Sequence, residues 1–298
     1  MLLEVACDES GSEGEKLVGG VTDVFAHASV GLGLDVAEAC VLEIRGRIRS
    51  PAEEYKANHL LRDKHRAVLV WLLSEAGPII GRSHVHLIDK TAFLVGRMVE
   101  MLVDDPVNGP DMAATLHRDG PRVFGAERWS AFLDSFNTVA RVRNRRGNGT
   151  SVDDFFRDLD YLLRFDMADE VRDMLATVAL GQDRVEDYRS RLNHDVRVIS
   201  VLDPMVSAIV RTVTFWSAEG PVSLVHDEQL SLTDLRIAQL IELCQGRLTG
   251  MRLVDSRWDA RVQVADFLAG VARRIASDDL NGHGDDELIT LLRPYVVT

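Results

Sequence analysis

Cysteine is scarce. Cys7, Cys40 and Cys244 are the only three in 298 residues, too few and too scattered for a disulfide framework or a cysteine-based zinc site. Positive charge is also short, with 34 Lys and Arg against 47 Asp and Glu, a formal charge of −13. A chain this acidic has no whole-surface attraction for nucleic acid, so any polyanion must be held by a local basic patch or through metal ions. Only four of the basic residues are lysines (Lys16, Lys56, Lys64 and Lys90), a preference for arginine that follows from coding bias and assigns no function. Long apolar runs are missing too. None approaches the roughly 18–20 residues that span a bilayer, and the start MLLEVACDES has no basic flank to make a signal peptide. The expectation is a cytoplasmic protein without a membrane partner. At 46% hydrophobic and 27% charged, the chain has ample material for a core, which excludes disorder as its overall state.

What is present divides into three textures. Residues 2–7 and 17–28 are apolar runs, residues 39–45 (ACVLEIR) alternate, and the three together predict an antiparallel strand meander. Ser50, Pro51 and Glu53 make a helix start, with a capping serine, proline at the first position and glutamate three after the cap. That helix is expected to run to about residue 75, before Gly77-Pro78. Residues 79–88 then read as a strand and 91–103 as a helix. From about 111 to 216 helical periodicity dominates, around a basic loop at 141–149. Residues 222–226 and 250–254 read as strands, alternating with helices at 234–245 and 260–276. The order predicts an α/β fold, a mixed sheet flanked by helices. Its core takes residues 1–104 and 217–298, and a large helical insertion takes 105–216.

Carboxylates recur where predicted strands end. Asp8 and Glu9 follow the first apolar run, and Asp227 and Glu228 follow 222–226; strand ends are where ligands gather in open α/β sheets. A solvated turn and an ordinary helix cap are the plain alternatives. On the last helix Gln263, Asp266 and Gly270 fall within one narrow stripe, and the glycine there points to something approaching the helix closely. Three carboxylate sites of this kind suit a hard divalent cation, which takes carboxylates, water and phosphate oxygens. Two such ions about 4 Å apart stabilise both the attacking and the leaving oxygen. Without a cation the carboxylates would repel one another.

Val5-Ala6-Cys7-Asp8-Glu9-Ser10-Gly11 resembles the Asp-Glu-Ser-Gly opening of the bacterial domain of unknown function 3800 family. Asp255-Ser256, followed by Gln263-Val264-Ala265-Asp266 and Ala269-Gly270, resembles that family's closing motif. Weaker likenesses are Val225-His226-Asp227-Glu228, to its intermediate strand, and Glu54-Tyr55-Lys56, to its Glu-x-Lys element. The resemblance reaches both ends of the chain but leaves residues 105–216 unaddressed. It implies a ribonuclease H-like fold in which Asp8, Asp227 and Asp266 bind metal, with Glu54 or Glu9 completing the set. In such a sheet the strand beside the first supplies the middle aspartate. Asp227 is the choice and Asp89, after a strand carrying His84 and His86, is the rival.

The resulting expectation is a Mg²⁺- or Mn²⁺-dependent phosphodiesterase of nuclease type. Asp8, Asp227, Asp266, Glu54 and Lys56 would act in catalysis, and Asp8, Asp227, Asp266 and Glu9 would hold metal. Arg143, Arg145 and Arg146 of the basic loop, together with Arg273, would contact nucleic acid or a nucleotide. The alternatives are a ribonuclease H-like module that binds nucleic acid or a partner without cleaving, as in a defence or mobile-element system, and a small-nucleotide hydrolase. Oligomeric state is not written in the sequence.

Overall fold

The structure, a computed structural model, describes residues 2–50, 52, 55–142 and 150–297. It divides into two compact units: Met1–Ser12, Val24–Ile88 and Met205–Thr298 form the first, and Glu13–Asp23 with Asp89–Pro204 the second.

The first unit is built on a five-stranded mixed sheet flanked by helices. Its strands are β1 (Leu3–Ser10), β2 (Val24–Val30), β3 (Ser83–Asp89), β4 (Val222–Asp227) and β5 (Leu248–Val254), in the order β3-β2-β1-β4-β5. β1 runs antiparallel to β2 and parallel to β4, and β4 runs parallel to β5. β1 is therefore central, with Ala6, Cys7 and Asp8 paired to Val30, Ser29 and Ala28 on one side, and Ala6 and Cys7 paired to Val225 and His226 on the other.

One sheet face is covered by α12 (Ala260–Leu280), whose Phe267, Leu268, Val271 and Ala272 join Ala26, Ala28 and Val30 of β2 in one buried cluster. The cluster also takes in α1 (Leu34–Ile48) and α3 (Arg66–Leu73). On the opposite face lies α10 (Pro204–Trp216), where Thr212 meets His27 and the Trp216 Nε1–H donates to Ser29 Oγ at 2.8 Å.

The second unit holds α4 (Lys90–Leu102), α5 (Gly109–Phe124), α6 (Ala126–Ala140), α7 (Val152–Leu162), α8 (Asp169–Ala179) and α9 (Gln182–His194). Between residues 90 and 204 the described residues carry helices and no strand. Their core is aromatic, with Phe124, Trp129, Phe132, Phe136 and Phe155 in one buried cluster. α7 shows why such segments are helical: Ser151 and Asp154 cap one another, and Phe155, Leu159 and Leu162 fall on one face.

Several elements depart from the sequence expectation. Residues 39–45 belong to α1 and make no strand. Over the longer window the buried positions are Ala37, Cys40, Val41, Ile44 and Ile48, a spacing of three and four that outweighs the short alternation. The strand expected at 17–28 is confined to Val24–Val30, because the Glu13 carboxylate takes the N–H groups of Val21 and Thr22 at 2.7 and 3.2 Å.

The long helix expected from residue 50 is broken. Its described parts are α2 (Ala57–Leu60), a short 3₁₀ turn and α3. The Tyr55 hydroxyl bonds both N–H and C=O of Ser50 at 2.8 Å, folding the chain back before α2; Pro51, Glu53 and Glu54 lie outside the described residues.

The units also divide the chain differently from 105–216. α4 joins the helical unit because Leu94, Val95, Met98, Val99 and Leu102 are buried in its core, while α10 bonds to the sheet. No described helix is long and apolar enough to cross a membrane.

Candidate active site at the ends of parallel strands

The parallel register sets the site. Cys7 lies opposite His226, so Asp8 and Asp227 are the next residues on neighbouring strands. Side chains alternate along β1, which sends Asp8 and Ser10 toward α12, and Cys7 and Glu9 toward α10. Asp8 is only 5% exposed, and its Oδ1 accepts the Glu9 N–H at 2.7 Å. Burial raises the Asp8 carboxyl well above the usual carboxylate range, and the charges of Glu9, Asp266 and Asp227 push the same way. The Glu9 N–H opposes them without prevailing. Asp227 and Asp266 are thus both within electrostatic reach of Asp8 in the folded chain.

Each neighbour is held by its own element. Asp227 Oδ1 accepts the Ser256 N–H at 2.9 Å, in the turn that follows β5. Asp266, on α12, has Oδ2 3.7 Å from Lys56 Nζ, and the same ammonium lies 3.4 Å from Ser256 Oγ. The Gly270 stripe has a direct explanation: a Cβ there would stand 2.3 Å from Ala57 Cβ. The missing side chain lets the start of α2 close onto α12, and that approach carries Lys56 to Asp266. Arg273, one turn further along, donates from Nε to Ser10 Oγ at 3.0 Å, while Gln263 turns to the Arg257 carbonyl at 3.4 Å.

Other expected residues stand elsewhere. Glu9 points to the α10 face, where its Oε1 accepts from Gln229 Nε2. Asp89 does not flank Asp8, since its strand β3 is at the sheet edge. Instead Asp89 caps α4, accepting from Thr91 N and Ala92 N, and pairs with His117 at 3.4 Å. His84 packs on the Phe215 ring with centroids 3.8 Å apart. Glu54, Arg143, Arg145 and Arg146 lie outside the described residues.

Among the described residues no three histidine, cysteine, aspartate or glutamate side chains are arranged to hold a metal ion. The donor chemistry nevertheless suits a hard cation, because Asp8, Asp227 and Asp266 offer only oxygen ligands. Burial and the charges of Glu9, Asp266 and Asp227 disfavour the ionised form of Asp8, and such a cation would relieve both.

In the second unit a cleft of about 550 Å³ is lined by Arg97, Arg184, Arg191, Glu100, Asp183 and Asp187 among others. Its arginines are largely neutralised, Arg97 by Glu100 at 2.7 Å and Arg191 by Asp187 at 3.0 Å.

Sequence reasoning missed the polar chain on the α10 face. His27 and His226 are both fully buried, with Nε2 atoms 3.3 Å apart. The available signal was a histidine in the middle of VFAHASV, a strand whose seven residues are all buried.

No family model, curated protein or solved structure matches this chain.

Proposed function

We propose that the chain hydrolyses phosphodiester bonds of nucleic acid or nucleotides with divalent-metal assistance, on a ribonuclease H-like sheet. The observation that carries this reading is Asp8, a buried carboxyl held well above its usual range by burial and by the charges of Glu9, Asp266 and Asp227. Folding alone disfavours such a gathering, whereas phosphoryl transfer requires it.

Two further features support the reading. The five-stranded mixed sheet flanked by helices, with β1 antiparallel to β2 and parallel to β4, is compatible with a ribonuclease H-like fold. The two terminal motifs also meet in space, since Arg273 reaches Ser10 and the Gly270 Cβ position lies 3.8 Å from Ser10 Oγ.

Asp8, Asp227 and Asp266 would hold Mg²⁺ or Mn²⁺, which supplies charge stabilisation for the attacking and leaving oxygens. The chain's own residues do the rest. Ser256 N–H orients Asp227. Lys56 stands against Asp266 and presents an ammonium to a phosphate oxygen. Arg273, anchored on Ser10, adds a second cation at the same strand end.

The test is hydrolysis of labelled single-stranded DNA, single-stranded RNA and bis(p-nitrophenyl) phosphate with Mn²⁺, Mg²⁺ or EDTA. Cation-dependent cleavage that falls at least a hundredfold in Asp8→Asn and Asp266→Asn supports the reading. Equal turnover in EDTA, or undiminished turnover in both variants, overturns it. Salt-sensitive binding without turnover would instead favour the non-cleaving module.

A further inference from the structure

The α10 face of the sheet holds a polar chain that the proposed chemistry does not use. Glu9 of β1 sits opposite His27 of β2, and Cys7 of β1 sits opposite His226 of β4. The two histidines therefore belong to the strands on either side of β1. They reach over it toward each other, with His27 Nε2 and His226 Nε2 3.3 Å apart.

That separation is at the long end of an N–H hydrogen bond between two imidazoles. It also matches the spacing of two imidazoles on one tetrahedral ion. With metal–nitrogen bonds of about 2.0–2.1 Å and a tetrahedral angle, the two nitrogens fall about 3.3–3.4 Å apart and the ring centroids about 5.2 Å apart. The observed centroid distance is 5.3 Å.

The outer nitrogens are arranged for the same purpose. His226 Nδ1 lies 2.9 Å from the Asp227 carbonyl, which can only accept, so Nδ1 carries a proton, and in the neutral ring the lone pair then lies on Nε2. His27 Nδ1 lies 3.0 Å from Thr212 Oγ1, and when it donates to that hydroxyl its Nε2 lone pair also faces inward. Outer hydrogen bonds of this kind fix the tautomer of metal-bound histidines.

A third donor is close. Glu9 Oε2 is buried with no hydrogen-bond partner and lies 3.8 Å from His226 Nε2, about half an ångström beyond ligand spacing on a tetrahedral ion. As the side chains stand, the three do not close on an ion; an inward turn of Glu9 about its own side chain would bring the third donor to the two imidazoles.

We propose that His27 and His226, completed by Glu9, form a transition-metal site for a zinc-like cation beneath α10. Two imidazoles select borderline metals over magnesium, which prefers oxygen ligands. The site is therefore separable by metal type from the carboxylates on the α12 face, and it stands whether or not those carboxylates catalyse anything.

The test uses the full chain with Co²⁺ as an optical probe and Zn²⁺ as competitor. One equivalent of Co²⁺ should give tetrahedral d–d absorption, displaced by Zn²⁺ but not by Mg²⁺, and unchanged in Asp8→Asn and Asp266→Asn. His27→Gln and His226→Gln should each weaken Co²⁺ binding at least a hundredfold, and Thr212→Val about tenfold. In the wild-type protein, Zn²⁺ should shift the Nε2 ¹⁵N resonances of two imidazoles, a readout that requires no variant to fold. Absence of both the tetrahedral band and the imidazole shifts in the wild type overturns the proposal. So does a band that survives both histidine substitutions.

Discussion

Asp8 and Glu9 are consecutive residues of β1 that face opposite sides of the sheet. Asp8 lies within the electrostatic field of Asp227 and Asp266, and Glu9 lies against Gln229 and His226. Two adjacent acids that look like one acidic turn in the sequence thus serve two separate polar sites. The β pleat makes the division, because a one-residue step along a strand reverses the direction of the side chain.

Asp8→Asn should stabilise the cation-free protein. The wild-type carboxyl is raised by burial and by like charges, so its ionised form opposes folding at neutral pH. A neutral isostere removes that opposition. Chemical denaturation at pH 7.5 in EDTA should show the variant equal to or more stable than wild type, and addition of Mn²⁺ should stabilise only the wild type. A less stable variant with an intact response to Mn²⁺ would point to a purely structural aspartate.

Gly270→Ala should loosen the site without touching a charge. Its Cβ would fall 2.3 Å from Ala57 Cβ, and overpacking of this kind costs about 1–3 kcal/mol. Moving α2 away would also carry Lys56 from Asp266. The urea midpoint should drop, and activity should fall more than the loss of folded protein explains. Unchanged stability would show that α2 yields freely.

Asp89 and Asp227 should behave differently. Asp89→Asn keeps a side-chain oxygen for capping α4 and loses only charge toward His117, so cation-dependent turnover should persist, with stability lower by about 1 kcal/mol. Asp227→Asn should remove the turnover. The pair of rates, measured on equally folded samples, decides which strand supplies the middle carboxylate.

Glu13 and Lys90 make a pH-dependent clasp within the helical unit. Lys90 is 1% exposed, and its Nζ bonds Glu13 Oε2 at 2.6 Å and the Thr22 carbonyl at 3.0 Å. Burial works against ionisation of Glu13, but Lys90 and the N–H groups of Val21 and Thr22 outweigh it and hold the carboxyl at about 2. Because the folded value is depressed, the stabilisation is complete above the unfolded value of about 4.3 and is lost as pH falls toward 2. Glu13→Gln strands a buried ammonium and should cost about 3 kcal/mol at pH 7. The gap from wild type should narrow by pH 3 in urea titrations; a constant gap would assign the loss to packing.

Much of the architecture was legible because it rests on local pattern. The strands near residues 3–10, 83–89, 222–227 and 248–254, the helices from 90 to 194 and the long last helix follow from hydrophobic period and capping residues. The candidate carboxylates Asp8, Asp227 and Asp266 were also readable, since each occupies a strand end or a polar stripe on an otherwise buried helix. Where a short window offered two periods, as at 39–45, the local pattern misled and the longer spacing of α1 prevailed.

The amino-acid order alone determined an acidic, core-forming α/β chain with carboxylates at strand ends and a helical middle. Only the tertiary structure decided their grouping. Parallel pairing of β1 with β4 set Asp227, not Asp89, beside Asp8, the bare Cα of Gly270 admitted Lys56 to Asp266, and the pleat sent Glu9 to the histidines. None of these is a local property. Each depends on which residues, some two hundred positions apart, the packed sheet and α12 bring within a few ångströms.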